Sequence, residues 1–520
     1  MTRRRRAAAA LLSLSVVLPA TAAYAGSASD EAGGPAAGSA GVLAAQAAVR
    51  PHIAPPPPPV LRSVSRGLPA DPAVIATNLE DELRDDWLGD DAHVGVTVRD
   101  VATGQVLVDQ NVDRGLIPAS TTKLLAAAAI VTTLPMDEPF RTTVVTGEEP
   151  DQIVLVAGGD MLLATGPGDH ALVEGHAGLG DLVDQTVVGL RARGMGTEDN
   201  PLRVRLDTSY AAGPDRPPGW TDFWLAQGYT GPITMLGLAE DRAFPYYPAP
   251  KDPAQTTAMA FREALRERGF EVGGGPRTEV ADQLAPEGAE MLAQVESAPA
   301  RDVLSEAMSS SDNALVEQLA RQAAVADGAG GDPASVQSWV VDQVASYGID
   351  MTGVELADVS GLSDGTTIPT RVLGDLLVIG ADGSHPALQS VLGELPIAGY
   401  SGTLWDRFHL ERHDPAVGVA RAKTGSLPGV TSLAGLVVTA DGRLLAYAMI
   451  ADEVGRDGAG LEARSVLDAM VAELAACGCG GTTRSSVADR PALGRRALQP
   501  IHIRPTIKSA TRLATPPADP

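Results

Sequence analysis

Lysine is almost missing from this chain. Of 40 basic residues only Lys123, Lys251, Lys423 and Lys508 are lysines, and the rest are arginines. Cysteine is as scarce: Cys477 and Cys479 are the whole complement, with Gly478 between them. A disulfide between such close neighbours is geometrically strained and is not assumed, and no nearby histidine completes a two-thiol metal site. The pair is therefore read as structurally minor. Aromatic residues are 4% of the chain. Positive charge is short too, with a formal net charge of −25, which excludes nucleic acid as a partner because phosphate binding needs a positive surface. Beyond the N-terminus no apolar run is long enough to cross a bilayer.

The N-terminus and the C-terminus have their own composition. Arg3 to Arg6, an apolar run from Ala7 to Ala20 and the small-residue site Ala23-Tyr24-Ala25 predict a secretory signal over residues 1–25. An uncleaved anchor is the alternative, disfavoured because the apolar run falls short of the ~20 residues that span a membrane. Residues 26–67, rich in Ala, Gly, Ser and Pro, read as a linker, stiffest at Pro55 to Pro59. Residues 479–520 carry Arg484, Arg490, Arg495, Arg496, Arg504, Lys508 and Arg512 and read as a solvated basic tail, with a contact to anionic wall polymer or lipid as the lesser reading. The remaining stretch, about 410 residues, exceeds one ordinary core and predicts two or three domains.

What is present is concentrated around the lysines. Two of the four lie in short motifs, Ser120-Thr121-Thr122-Lys123 and Lys423-Thr424-Gly425-Ser426, and Ser311-Asp312-Asn313 stands between them. Ser120 follows Pro118-Ala119 and precedes the apolar, alanine-rich run Leu124 to Val131. Proline belongs at or just before a first helical turn, so Ser120 is expected near a helix N-terminus with Lys123 one turn on, on the same face. Near the positive end of the helix, with Lys423 expected close by, the Lys123 pKa can fall, so that its neutral amine can take the serine proton. In isolation the motif reads better as a serine cap followed by a surface lysine. Ser311-Asp312-Asn313 is by itself an ordinary helix start, expected where a loop enters the helix beginning at Ala314. It also offers a hydroxyl that relays a proton and an amide that holds lysine and substrate. Lys423 to Ser426 opens a strand, and the runs Leu433–Val438 and Leu444–Ile450, joined by Asp441-Gly442, read as neighbouring antiparallel strands. Lys423 and Thr424 on a strand edge present a cation and a hydroxyl to a carboxylate, and Gly425 lets a ligand backbone approach. A protective edge lysine is the bland alternative.

The eight histidines form no rival site. His170 and His176 lack a metalloprotease-type spacing, and His409 and His413 fall in a charged segment expected at the surface. No metal or organic cofactor is called for.

The order S-x-x-K, S-D-N, K-T-G resembles that of active-site serine enzymes that react with penicillin. Over roughly Pro69 to Ala476 the chain is similar to the low-molecular-mass D-alanyl-D-alanine carboxypeptidase/endopeptidase class of penicillin-binding proteins that carry a large insertion. The long stretch from Lys123 to Ser311 is typical of that class and unlike a β-lactamase. Further matches are Leu155-Val156-Ala157-Gly158-Gly159-Asp160, Gly219-Trp220 with Tyr229 and Pro232-Ile233, Asp358-Val359-Ser360-Gly361-Leu362-Ser363, and Leu395-Pro396-Ile397-Ala398-Gly399 with Gly402-Thr403-Leu404. The resemblance implies an α+β fold: a transpeptidase/β-lactamase-like domain with an antiparallel sheet covered by helices, interrupted by a mainly β/α insert. The catalytic halves would be 68–140 and 297–478, and the insert 141–296, with strand-like runs at Ile153–Val156 and Leu202–Leu206.

The same resemblance implies Ser120 as nucleophile, Lys123 as base, Ser311 with Lys423 as the proton route to the leaving group, and Asn313 on the acyl side. Thr424, Gly425 and Ser426 would hold the substrate carboxylate. Partners would be peptidoglycan stem peptides, with β-lactams as covalent inhibitors and a membrane only if the signal stays. A β-lactamase or esterase on the same fold, and a non-catalytic wall-binding protein, are the other readings. Two positions depart from the family pattern. Val359 replaces a frequent glycine, and Asp364 stands where many members have arginine, so an amidated or cationic peptide side chain suits this chain better than a free carboxylate.

Overall fold

Side chains on a strand alternate between its two faces, and in this chain that alternation divides one sheet between two cores. The computed structural model describes residues 67–275, 277–455 and 459–478. The expected signal, the linker up to residue 66 and the basic tail lie outside the described residues. A five-stranded, wholly antiparallel sheet runs in the spatial order Ala420–Leu427, Val430–Val438, Leu444–Ala451, Val94–Asp100, Val106–Gln110. Ala434, Leu436, Ala446, Ala448 and Ile450 face one core, and Leu433, Val437, Leu445, Tyr447 and Met449 face the other.

The first core holds the alanine-rich helix Lys123–Thr133, packed against Asn313–Ala326 and Pro333–Ala345. Every residue from Lys123 to Ile130 is buried, so the helix has no solvent face in that stretch. The second core lies under Ala459–Ala476 and Pro72–Asn78. A second sheet, in the order Met291–Pro299, Pro139–Thr146, Gln152–Val156, Arg203–Asp207, Ala281–Asp282, is mixed. Its first two pairings are antiparallel and its last two parallel. Leu179–Arg193 and Pro253–Glu267 supply the helical side of its own core. The α+β architecture expected from the sequence is the one observed, and the strands expected at Ile153–Val156 and Leu202–Leu206 occur at 152–156 and 203–207. Among the described residues no helix is long and apolar enough to cross a membrane.

Three expectations need correction. The segment before Ser311 is the helix Ala300–Ser310 rather than a loop, and Ser311 is its left-handed C-cap (φ +61°). His413 is buried, because Arg412 and Ser465 face its ring and the Ala459–Ala476 helix covers it, and that burial lowers its pKa. Cys477 is disulfide-bonded, where the spacing gave no ground to assume it. Its only possible partner in the sequence, Cys479, lies outside the described residues.

The row Ala126 to Ala129 is at most 1% exposed, so larger side chains have no room. Ala127→Leu should destabilise the protein by about 1–3 kcal/mol, measured by denaturant unfolding; the exposed Leu461→Ala should change stability by less than about 0.5 kcal/mol.

Candidate active site

Pro118 leads the chain into a short 3₁₀ turn, Ala119–Thr122, and the α-helix proper begins at Lys123. Ser120 therefore sits one tight turn ahead of the helix, a little outside the position its sequence predicts. Ala119 takes a left-handed backbone (φ +48°), a costly conformation for a residue with a Cβ. Two glycines grip this turn. A Cβ on Gly361 would lie 1.9 Å from the Ala119 carbonyl oxygen, and one on Gly425 would lie 2.5 Å from the Pro118 carbonyl oxygen. The Ser432 hydroxyl also donates to the Pro118 carbonyl at 2.6 Å.

Both motif lysines are fully buried, and each is bonded to a motif serine. Lys123 Nζ lies 3.0 Å from Ser120 Oγ, 2.5 Å from Asn313 Oδ1 and 2.8 Å from the Ser360 carbonyl oxygen. Lys423 Nζ donates to Ser311 Oγ at 2.8 Å and to the Thr424 carbonyl at 3.0 Å. Burial pulls the Lys123 pKa down to about 7, against the opposing pull of the Asp358 and Glu317 charges. Lys423 falls well below the ordinary lysine value, first through burial and then through repulsion by Lys123.

The three contacts of Lys123 have a chemical consequence. An ammonium has three hydrogens, whereas a neutral amine has two and a lone pair. Asn313 Oδ1 and the Ser360 carbonyl can only accept, so they hold the two remaining hydrogens and leave the lone pair facing the Ser120 hydroxyl. That is the geometry of a general base.

Asn313 is held from both ends: Nδ2 donates to the Tyr229 carbonyl at 2.8 Å, leaving one N–H free for another acceptor. Asp312 caps the helix through Leu315 N and pairs with Arg242. The Lys423 strand is the edge of its sheet. Its first half is covered by the Leu395–Gly399 segment, with Ala422 N bonded to the Pro396 carbonyl and Ala398 N to the Ala420 carbonyl, both at 3.0 Å. Cover ends just before Lys423, so Lys423 to Ser426 form the open edge, with Ser426 exposed. Thr424 Oγ1 is 2.8 Å from Thr403 Oγ1.

The structure thus brings Ser120, Lys123 and Asn313 into one hydrogen-bonded group and Ser311 and Lys423 into a second, the two lysines close enough to repel each other, with Thr424, Gly425 and Ser426 following Lys423 along its strand. Sequence reasoning missed the layer beneath. Glu317 accepts from Val359 N (2.8 Å) and Ser360 N (2.9 Å), fixing the peptide whose carbonyl holds Lys123. Its carboxyl is pushed up to about 8, by burial and then by Asp358. Asp358 accepts from Trp220 Nε1 (2.8 Å), Gly361 N (2.5 Å) and Ser363 N (2.6 Å). The available signal was the helical i, i+4 spacing of Asn313 and Glu317, which puts both on one face. His170 and His176 meet edge to face at 4.7 Å, and among the described residues no group of three or more potential ligands is arranged for a metal.

The sheet, the covering helices and this lysine–serine cluster define a penicillin-binding-protein fold. Among solved structures of similar fold is penicillin-binding protein 4 from Haemophilus influenzae, at 21% identity and a TM-score of 0.62, covering 75% of this chain and 98% of that one. The chain matches the D-Ala-D-Ala carboxypeptidase 3 (S13) family over residues 75–245 and 237–474, and belongs to it. It is 35% identical over 389 residues to a carboxypeptidase DacB of Mycolicibacterium smegmatis, covering 74% of this chain and 80% of that one. It is also 30% identical over 422 residues to a D-alanyl-D-alanine carboxypeptidase of an Actinomadura species, covering 67% and 76%. The chain is accordingly a serine-type D-Ala-D-Ala carboxypeptidase.

Two outcomes test the geometry. Acylation should need neutral Lys123, so its rate should rise with pH through about 7 and fall about tenfold per unit below, measured as kcat/KM against pH. Gly361→Ala, which cannot keep its φ of +79° or its contact with Ala119, should lower kcat/KM at least about 100-fold. An unchanged rate would mean the turn is not held as described.

Proposed function

We propose that this protein is a secreted enzyme that cleaves the terminal D-Ala-D-Ala bond of peptidoglycan stem peptides through an acyl-serine intermediate, and that penicillin inhibits it. The observation that carries the reading is the pair of fully buried lysines, each bonded to a different serine hydroxyl, around Asn313. A protein that only bound the wall would need no nucleophile backed by a buried neutral amine.

In this mechanism Lys123 takes the Ser120 proton as Ser120 Oγ attacks the carbonyl carbon between the two D-alanines. Backbone N–H groups of Ser120 and Ser426 hold the oxyanion. The C–N bond then breaks as Ser311, backed by Lys423, gives its proton to the departing D-alanine amine, and the proton held by Lys123 passes on to Ser311, leaving Lys123 neutral again. The free N–H of Asn313 holds the acyl-side amide. Thr424, with its hydroxyl oriented by Thr403, and Ser426 bind the terminal carboxylate at the open strand edge. Water, activated by the same base, releases the acyl group. Penicillin presents a similar amide, but its leaving group stays attached, so the ester persists. A solved β-lactam complex of the Haemophilus penicillin-binding protein 4 (21% identity, TM-score 0.55) is in keeping with this for the shared fold.

We assign residues 68–140 and 297–478 to the catalytic domain and 141–296 to an insert that scaffolds it. The signal-like N-terminus supports export. Asp364 is exposed directly after Gly361-Leu362-Ser363, and its negative charge favours an amidated or cationic peptide side chain over a free carboxylate.

Benzylpenicillin should add its full mass to the protein, and the adduct should map to Ser120 and be absent from Ser120→Ala. Rapid return to the free mass would point to a β-lactamase, and no adduct to a binding protein. Amidated stem peptide should be cleaved faster than the free acid, and Asp364→Arg should reverse that order; a preference for the free acid in the wild type would refute the role of Asp364.

A further inference from the structure

In a chain this poor in aromatic residues, six of them, Phe223, Trp224, Tyr229, Phe244, Tyr246 and Tyr247, stand between positions 223 and 247. Burial is the usual fate of such rings. Here all but Trp224 are exposed, Tyr246 at 73% and Tyr247 at 71%. They form one surface. Trp224 stands edge-on to Phe223 and to Tyr229, with ring centroids 5.2 and 5.4 Å away, and Phe244 lies 6.4 Å from Tyr247. Phe244 and Tyr247 exchange two backbone hydrogen bonds that close a tight turn, and Tyr246 N donates to the Gln227 carbonyl at 2.7 Å, tying that turn to the other three rings.

Two features separate this patch from incidental exposure. Tyr246 holds a left-handed backbone (φ +72°), which is costly for a bulky side chain and is maintained by the turn around it. The patch also adjoins the active site through its backbone, because the Tyr229 carbonyl accepts from Asn313 Nδ2. With Asn313 on the acyl side of the scissile bond, the rings lie where the substrate continues away from the two D-alanines. A stem peptide runs in that direction to the sugar that bears it. A pyranose has an apolar C–H face and an edge of hydroxyls. Flat rings rimmed by tyrosine hydroxyls and by the exposed Asp222–Arg216 pair match both.

We infer that this aromatic surface is a saccharide subsite, which stacks the sugar attached to the acyl end of the stem peptide. The inference rests on the proposed reaction for its direction and adds to it a second recognition element in the same substrate. The enzyme then distinguishes peptide still on its glycan from free peptide, by contacts a small β-lactam never reaches.

The test uses the full chain and the peptide-free disaccharide N-acetylglucosaminyl-N-acetylmuramic acid, with binding followed by saturation-transfer NMR. Cleavage of disaccharide-linked and sugar-free stem peptides is measured alongside. Wild type should bind the disaccharide saturably and cleave the sugar-linked peptide with kcat/KM about tenfold higher, equivalent to about 1.4 kcal/mol. The double variant Phe223→Ala/Tyr247→Ala should lose disaccharide binding and bring the two kcat/KM values together, while its rate of acylation by benzylpenicillin stays at the wild-type value. Absence of disaccharide binding by the wild type would overturn the subsite while leaving the peptidase reading intact if stem peptide is still cleaved. Disaccharide binding without cleavage of either peptide would sustain the subsite and refute the reaction. Undiminished binding by a double variant that still reacts with benzylpenicillin would place the sugar elsewhere and overturn the inference.

Discussion

Two lysine side chains taken entirely out of water are the constraint around which this structure is organised. An unpaired buried ammonium is costly, and a protein relieves that cost by supplying partners or by releasing the proton. Both routes are used. Lys123 has three oxygen partners, and its pKa still falls to about 7. Burial, and then repulsion by Lys123, also holds Lys423 well below the ordinary lysine value. A group that sheds its proton near neutrality, with its lone pair aimed at a serine hydroxyl, is a base by construction. The depressed pKa also carries a stability cost. Between the folded value and the unfolded value near 10.4 the unfolded chain binds more protons, so this contribution becomes less unfavourable as pH rises through that window.

The remaining architecture follows from holding that arrangement still. The Lys123–Thr133 helix, with its buried alanine run, packs against the Asn313–Ala326 helix, and Asn313 meets Lys123 where the two begin. Ala119 and Ser311 both adopt left-handed backbones, the first immediately before Ser120, whose hydroxyl meets Lys123, and the second carrying the hydroxyl that meets Lys423. Gly361 and Gly425 admit the turn from opposite sides because neither has a Cβ. Below it, Glu317 and Asp358 satisfy the backbone N–H groups of the 358–363 loop, so that the Ser360 carbonyl is free to face Lys123. The edge strand completes the cleft. Its pairing with the Leu395–Gly399 segment stops at Ala422, and of the next four residues only Ser426 is exposed.

Much of this was legible in the sequence because the chemistry is local. Ser120 and Lys123 need only one helical turn to meet, and scarcity of lysine made the two motifs stand out. The strands at 430–438 and 444–451 were legible from the Asp441-Gly442 turn and the apolar runs on either side. What was not legible depends on contacts between distant segments. Glu317 looks like the polar face of an amphipathic helix until the 358–363 loop is laid over it. His413 sits among charges in sequence but is roofed by a helix some fifty residues on. Thr403 and Tyr229 were noticed only as parts of family patterns, and their contacts with Thr424 and Asn313 are set by packing. The 3₁₀ turn at Ser120 escaped because strain at Ala119 has no compositional signature.

The central claim is that Lys123 is neutral at working pH because it is buried. Only four lysines occur in the chain, so protein labelled with ¹³C solely at lysine Cε gives a spectrum simple enough to titrate residue by residue, with Lys123→Arg assigning the signal. The Lys123 signal should titrate near pH 7, and that of Lys423 well below the ordinary lysine value of about 10.4. Titration of Lys123 near the ordinary lysine value of about 10.4 would contradict it.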